Sequence, residues 1–308
     1  MRVLVTGGCG FLGSAFVRRL VASGDEVVVL DRLTDFGSLA SLEGVPHEFV
    51  QGDVADAVTA TGAADGCAAI VNFAAETRLD SSGLASGGFI VTDVFGTHVL
   101  LEFARVSGIR FLQVSTDAVY EPSSPGAASK LGADLQVLAY ARTHGANVSI
   151  TRGVTSYGPF QHPRQPVARL VTSALDGEPV TVGGGTRGWL HADDHCAAIE
   201  SVLRQGEAGA VYDLCGEERS EGLVAARIAE LTGSDPELFS QSDSERSDRP
   251  PVEDGSIRAL GWEPRRTLDE GLAETVEWYR SHRDWWEPAR SSAGTAPAAE
   301  QYARRFRA

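Results

Sequence analysis

The chain has 308 residues, 43% of them hydrophobic and 22% charged, with a formal net charge of −15. That length suffices for a full core and for one large domain with a smaller one appended. The acidic balance argues against nucleic acid and anionic membrane as partners, since both need clustered Lys and Arg, and no apolar run is long enough to span a bilayer.

The first predicted element is a strand, Arg2–Thr6, and it runs directly into a glycine loop with no cleavage-type segment before it, so a cytoplasmic protein is expected. The loop Thr6-Gly7-Gly8-Cys9-Gly10-Phe11-Leu12-Gly13 opens a helix, Phe11–Ala22. Gly7, Gly10 and Gly13 allow a tight turn and a close approach of backbone to a pyrophosphate, which the free N–H groups at the helix start then face. The next strand, Glu26–Leu30, ends in Asp31, whose carboxylate suits both ribose hydroxyls of an adenosine and repels a 2′-phosphate; this favours NAD over NADP, with Arg32 pulling the other way.

Further strands are predicted at Ala69–Phe73, Arg110–Ser115 and Asn147–Thr151, and helices at Gly88–Val106 and Ser129–Thr143. Alternation of this kind predicts an α/β fold, a Rossmann doubly wound parallel sheet with helices on both faces. From about residue 152 the texture changes to loops rich in Gly, Pro and Arg, with helices at Asp193–Arg204, Glu221–Thr232 and Thr267–Ser281. The expected organisation is an NAD-binding domain over 1–152, a mainly substrate-binding domain over 153–290 interleaved with it, and a tail over 291–308. That tail ends in Arg304-Arg305-Phe306-Arg307 and reads either as a solvated end or as a docking segment for a second subunit. Cys9, Cys67, Cys196 and Cys215 lie far apart without a CxxC pair, so neither a metal site nor a disulfide framework is expected.

Several separate blocks resemble the extended short-chain dehydrogenase/reductases, and more narrowly the dTDP-glucose 4,6-dehydratase branch. The loop Thr6–Gly13 fits TGGxGFxG, and Asp31-Arg32-Leu33-Thr34 fits the end of that family's second strand. Gly52-Asp53-Val54 looks like the adenine-holding segment, Ala74-Ala75-Glu76-Thr77-Arg78-Leu79-Asp80 is similar to AAExHVD, and Ser115-Thr116-Asp117-Ala118-Val119-Tyr120 is similar to STDEVY. Trp189-Leu190-His191-Ala192-Asp193-Asp194-His195 and Arg283-Asp284-Trp285-Trp286-Glu287-Pro288 also match, so the likeness covers residues 1 to about 288. The resemblance implies cofactor contacts from Gly7, Gly10, Phe11, Leu12, Gly13, Asp31, Arg32, Thr34, Asp53, Val54, Phe73, Ala74, Ala75, Ser115 and Lys130. It implies substrate contacts from Glu76, Arg78, Thr155, Ser156, Arg187 and Arg249, with the arginines on a diphosphate. It further implies a dTDP-hexose as substrate and a homodimer through a four-helix bundle built from Gly88–Val106 and Ser129–Thr143.

Three departures fall within the chemistry that the resemblance implies. Lys130 occupies the lysine position of YxxxK, but the tyrosine position is Gly126, which has no side chain to move a proton. Asp117 is kept from the Asp–Glu pair of STDEVY, whereas Ala118 replaces the Glu. Only nine residues separate Tyr120 from Lys130, where the family has a longer excursion over the site. In addition, Thr155-Ser156-Tyr157-Gly158-Pro159 stands in place of NNYGP.

The expected function is therefore an NAD-dependent nucleotide-sugar enzyme of dehydratase, epimerase or reductase type that works without the usual tyrosine. Thr116, Asp117 and Lys130 are its catalytic candidates, with Tyr120 or a water held by Lys130 as further proton donors. The alternative is a catalytically degenerate NAD-binding homologue serving as a partner subunit or sensor; a third reading is an ordinary dehydratase with substituted catalysts. Each missing proton-transfer group costs on the order of 10²–10⁴-fold in rate, which weighs against that third reading.

Overall fold

The computed structural model describes residues 1–34, 36–76, 86–242 and 252–291. In chain order the elements are β1 (Arg2–Thr6), α1 (Phe11–Ala22), β2 (Glu26–Asp31), β3 (Glu48–Gln51), α2 (Ala57–Ala64), β4 (Ala69–Asn72), α3 (Ser86–Phe89), α4 (Gly96–Ser107), β5 (Arg110–Thr116), α5 (Pro125–His144) and β6 (Val148–Gly153). There follow β7 (Thr155–Tyr157), α6 (Pro166–Asp176), β8 (Val180–Val182), β9 (Thr186–His191), α7 (Ala192–Gln205), β10 (Val211–Leu214), β11 (Glu217–Ser220), α8 (Glu221–Thr232), β12 (Phe239–Gln241), α9 (Gly255–Arg258), α10 (Leu268–Ser281) and α11 (Arg283–Ser291). Among the described residues, no helix is long and apolar enough to cross a membrane.

The chain divides into two compact units, one comprising Met1–Arg152 and Ile199–Asp213, the other Gly153–Ala198 and the described part of 214–293. In the first, a seven-stranded sheet has the order β10-β6-β5-β4-β1-β2-β3. The pairs β1–β2, β1–β4, β2–β3 and β4–β5 are parallel. The order reverses at β1, with β2 on one side and β4 on the other, which is the Rossmann switch point; ligands of such sheets bind beyond the carboxyl ends of the strands. Val3, Leu4 and Val5 have no exposed surface, as expected of a strand covered on both faces. Leu4, Val28, Ile70, Phe111 and Ile150 from five strands join Leu100 and Leu101 of α4 in one core cluster.

The second unit has a three-stranded sheet, β11-β9-β7, and the pair β12-β8. Its core gathers Val167 and Val171 of α6, Val224 and Ile228 of α8, Leu272 and Val276 of α10, and the fully buried Trp286.

Two elements differ instructively from their sequence patterns. The helix expected from Ser129 begins at Pro125, because Ser124 caps it by accepting the Ala127 N–H and Pro125 takes the first turn, where no N–H is needed. The helix expected over Gly88–Val106 is interrupted by a π-helical stretch at Ile90–Phe95, which separates α3 from α4 and contains the buried Asp93. The 291–308 tail lies outside the described residues apart from Ser291, the last residue of α11.

Candidate functional site

The first unit builds its site at the carboxyl ends of β1, β2, β4 and β5. After β1, Gly7 adopts a left-handed φ of +67°, and a Cβ there would stand 2.9 Å from the Ala74 nitrogen. At Gly13 a Cβ would lie 2.1 Å from the Gly7 carbonyl oxygen, so only glycine lets α1 pack this close to the loop. Gly10 precedes α1 and, as a glycine, supplies no capping side chain to the helix start, whose first turn holds Phe11 and Leu12. Phe73 follows β4 and packs its ring 5.3 Å from that of Phe16, while the Ala74 N–H donates to Thr6 Oγ1. Ala75 continues this half-buried segment toward Glu76.

Asp31 ends β2 buried, accepting from the Cys9 N–H on Oδ2 (2.9 Å) and from the Leu33 N–H on Oδ1 (2.8 Å). Burial raises its pKa against these two amides and the neighbouring Arg32. The Cys9 thiol is pushed up to about 12 by burial and by Asp31's charge, so it remains a neutral, inert group of the loop. Arg32 donates to Asp53 (3.2 Å) and to Glu76 (2.9 Å). Burial opposes its charge, but the carboxylates of Glu76 and Asp53 outweigh it and raise its pKa. The guanidinium is thus already neutralised by two acids, a poor setting for a cofactor 2′-phosphate. Asp53 also accepts from the Ala55 N–H, and Val54 is buried behind it. The Thr34 carbonyl closes the turn by accepting from the Gly37 N–H.

Thr116, at the end of β5, donates to Asp117 Oδ1 (3.0 Å) and caps the following 3₁₀ turn by accepting the Ala118 N–H. Asp117 and Ser115 are both buried. Lys130, on α5, donates its Nζ to the Val114 carbonyl (3.3 Å). One turn before it, Gly126 faces Phe89: a Cβ at this position would lie 3.1 Å from the ring's Cε1. An aromatic ring therefore covers the point from which any side chain at position 126 would project.

Sequence reasoning missed Asp93, which is 1% exposed and accepts from Ser129 Oγ (2.7 Å) and from the Glu76 N–H (2.8 Å). Burial raises its pKa, opposed by the charge of Lys130 and the Ser129 hydroxyl. Its signal was a lone carboxylate in the apolar run Phe89-Ile90-Val91-Thr92-Asp93-Val94-Phe95. Arg152 of β6, Asp134 of α5 and Asp213 of β10 were missed as well. Arg152 Nε donates to the fully buried Asp134 (2.9 Å), and the Tyr120 hydroxyl donates to Asp213 (2.7 Å to Oδ1).

In the second unit, Thr155 and Ser156 lie on β7, paired with Trp189 and Leu190 of β9. Ser156 Oγ is 2.7 Å from His195 Nδ1. His195 is buried, which lowers its pKa to about 4, and its Nε2 has no hydrogen-bond partner among the described residues. The unpartnered Nε2 favours the tautomer with the proton on Nδ1, donated to Ser156, because a buried N–H without an acceptor costs about 1–3 kcal/mol. The Ser156 hydroxyl hydrogen is then free to be donated elsewhere. Arg187 on β9 is only 14% exposed and its Nε donates to Glu221. An incoming anion would have to use its remaining N–H groups. Arg78 and Arg249 lie outside the described residues. Of the expected site residues, those of the first unit converge along one edge of its sheet, while Glu76, expected on the substrate, pairs with Arg32 beside Asp53.

Residues 3–215 match the family described as NAD dependent epimerase/dehydratase. Over 94% of this chain and 96% of its own length, a dTDP-glucose 4,6-dehydratase of Streptomyces niveus is 40% identical. The solved structure of DesIV, a dTDP-glucose 4,6-dehydratase from Streptomyces venezuelae with NAD bound, superposes with a TM-score of 0.89 at 41% identity, over 94% of this chain and all of its own. A Thermus thermophilus UDP-glucose 4-epimerase in complex with NAD gives a TM-score of 0.83 at 28% identity, over 92% of this chain and 100% of that one.

Proposed function

This chain belongs to the NAD dependent epimerase/dehydratase family, and on that premise we propose that it is an NAD-dependent enzyme of a nucleotide-activated sugar, a dTDP-hexose, whose chemistry does not use a tyrosine at position 126. The observation that carries the cofactor assignment is the cradle after β1. Gly7 and Gly13 leave room that a single Cβ would fill, Gly10 puts no capping side chain over the start of α1, and Asp31 stands at the end of the next strand. Arg32, bound by Asp53 and Glu76, supports NAD rather than NADP. When bound, NAD supplies a hydride acceptor. The chain's own residues would hold it: the loop amides would take the pyrophosphate, Asp31 the ribose, and Asp53 with Val54 the adenine side. Phe73, Ala74, Ala75, Ser115 and Lys130 would lie beside its reacting end.

The dTDP-sugar assignment rests on the relatives, several of which are named dTDP-glucose 4,6-dehydratases. Thr155, Ser156 and Arg187 are the contacts proposed from the second unit. A homodimer through α4 and α5 is part of the same reading, supported by the exposed Ile90 and Phe95 at the head of α4 and Leu135 on α5.

The experiment is incubation of the NAD-loaded protein with dTDP-glucose and, separately, with its 4-keto-6-deoxy product, followed by mass analysis of the sugars. Conversion of either is expected. A second reading, a cofactor-binding partner subunit without turnover, draws on the packing of Phe89 over Gly126. Bound NAD with both sugars returned unchanged would favour it.

A further inference from the structure

The carboxyl ends of β5, β6 and β10, adjacent strands of one sheet, carry a second cluster of ionisable groups. Tyr120 follows the turn after β5, and its hydroxyl reaches both carboxylate oxygens of Asp213, at 2.7 and 2.8 Å. The Arg152 guanidinium lies over the Tyr120 ring, 4.9 Å from its centre, and is anchored from behind by Asp134. Tyr120 is 42% exposed, whereas Asp134 has no exposed surface. A phenol open to solvent is therefore held by a half-buried carboxylate and a fixed cation, at the strand ends where a sheet of this kind receives its ligands.

We propose that Tyr120 and Asp213 form a proton relay that takes over the role Gly126 cannot fill, with Tyr120 touching a hydroxyl of the bound sugar and Asp213 acting through Tyr120 as a positioning residue. The proposal rests on the nucleotide-sugar reading above. In the relay, the sugar's O–H bond breaks, its electron pair stays on the sugar oxygen, and its proton passes to the phenol oxygen. The phenol's own O–H bond breaks in the same event, and that proton passes to the Asp213 carboxylate. In the reverse direction both protons return.

The charges around the pair suit this exchange. Burial and the nearby charge of Asp117 raise the Asp213 pKa, opposed by the Tyr120 hydroxyl and by Arg152, so the carboxylate is a better proton acceptor than an exposed one. For Tyr120, burial and Asp213 raise the pKa and Arg152 lowers it, with the net shift upward. The phenol thus stays protonated until its proton can move to Asp213. Arg152, Asp134 and Asp117 are the other charged groups facing the pair.

Two readouts test it on the NAD-loaded protein. In sugar turnover, Tyr120→Phe and Asp213→Asn should each lose on the order of 10²-fold or more, with bound NAD unchanged, and Asp213→Glu should restore part of the loss. Either Tyr120→Phe or Asp213→Asn turning over like the unaltered protein would overturn the relay. In carbon-13 NMR of tyrosine ring carbons, the Tyr120 signal, identified by its loss in Tyr120→Phe, should follow an acidic titration that disappears in Asp213→Asn. A Tyr120 signal indifferent to that titration would overturn the pair whatever the turnover. If the unaltered protein converts neither sugar while the NMR coupling is present, the nucleotide-sugar reading fails and the shared proton stands.

Discussion

At Gly126 and His195, single positions set the local packing and the response of stability to pH. Phe89 occupies the space into which a residue at 126 would project. Gly126→Tyr should therefore destabilise the protein by about 1–3 kcal/mol through overpacking. Combined with Phe89→Ala, it should cost less than the sum of the two single changes, as read from urea midpoints; strict additivity would mean that the ring is not in the way. His195 gives a pH signature. An unfolded histidine takes up its proton near pH 6.5, but the buried one does so only near 4. Between these values the unfolded chain binds more protons, so stability is fully present above about 6.5 and declines as pH falls toward 4. The loss is on the order of 3 kcal/mol. Melting temperatures of His195→Asn across that window should fall less steeply than those of the unaltered protein; equal slopes would remove His195 as the cause. Asp31 is read differently, by ligand affinity. Asp31→Ala should weaken NAD binding about tenfold or more, since a charge-assisted hydrogen bond is worth about 1.5–3 kcal/mol, and calorimetric titration would measure it.

At the scale of elements, what could be read from the sequence was what lies contiguous in it. β1, the glycine loop and α1 follow one another without a gap, and so do β2 and Asp31, so their structure was visible as local patterns. β3 was not, because Glu48-Phe49-Val50-Gln51 offers only two apolar residues at a sheet edge. α2 was hidden in Ala57–Ala64, a run of small residues without a sharply apolar face. α6 sits among Gly- and Pro-rich segments that read as loop, although Pro166 starts it and Gly177, in the left-handed region, ends it. The groups missed at the site share one cause. Arg152 and Asp213 meet Tyr120 only because β10, β6 and β5 are neighbours in the sheet, an order no local pattern encodes. Asp93 is held by Ser129 and Glu76, both far from it in sequence. The early start of α5 carries its own prediction. Ser124→Ala removes the cap of the helix that bears Lys130 and should cost about 1 kcal/mol in a urea titration; no change would show the cap to be idle.

For the whole molecule, the Rossmann sheet and the family relationship agree with the expectation drawn from alternating strands, helices and the blocks spread over the chain. If α4 and α5 form a dimer interface, Phe95→Glu with Leu135→Glu should convert a dimer to a monomer in sedimentation, and a monomeric unaltered protein would contradict the assembly. The central claim is that hydride chemistry on a nucleotide sugar survives without a tyrosine at position 126. Its most direct test is the difference spectrum of NAD bound to the purified protein before and after addition of dTDP-glucose or its 4-keto-6-deoxy product. A change in the oxidation state of the bound cofactor, lasting or reversed as the sugar is converted, is expected with at least one of the two sugars. A cofactor that stays unchanged with both, in protein shown by mass analysis to carry it and with both sugars recovered unconverted, would contradict hydride transfer on these sugars; a sugar converted with the cofactor restored would not.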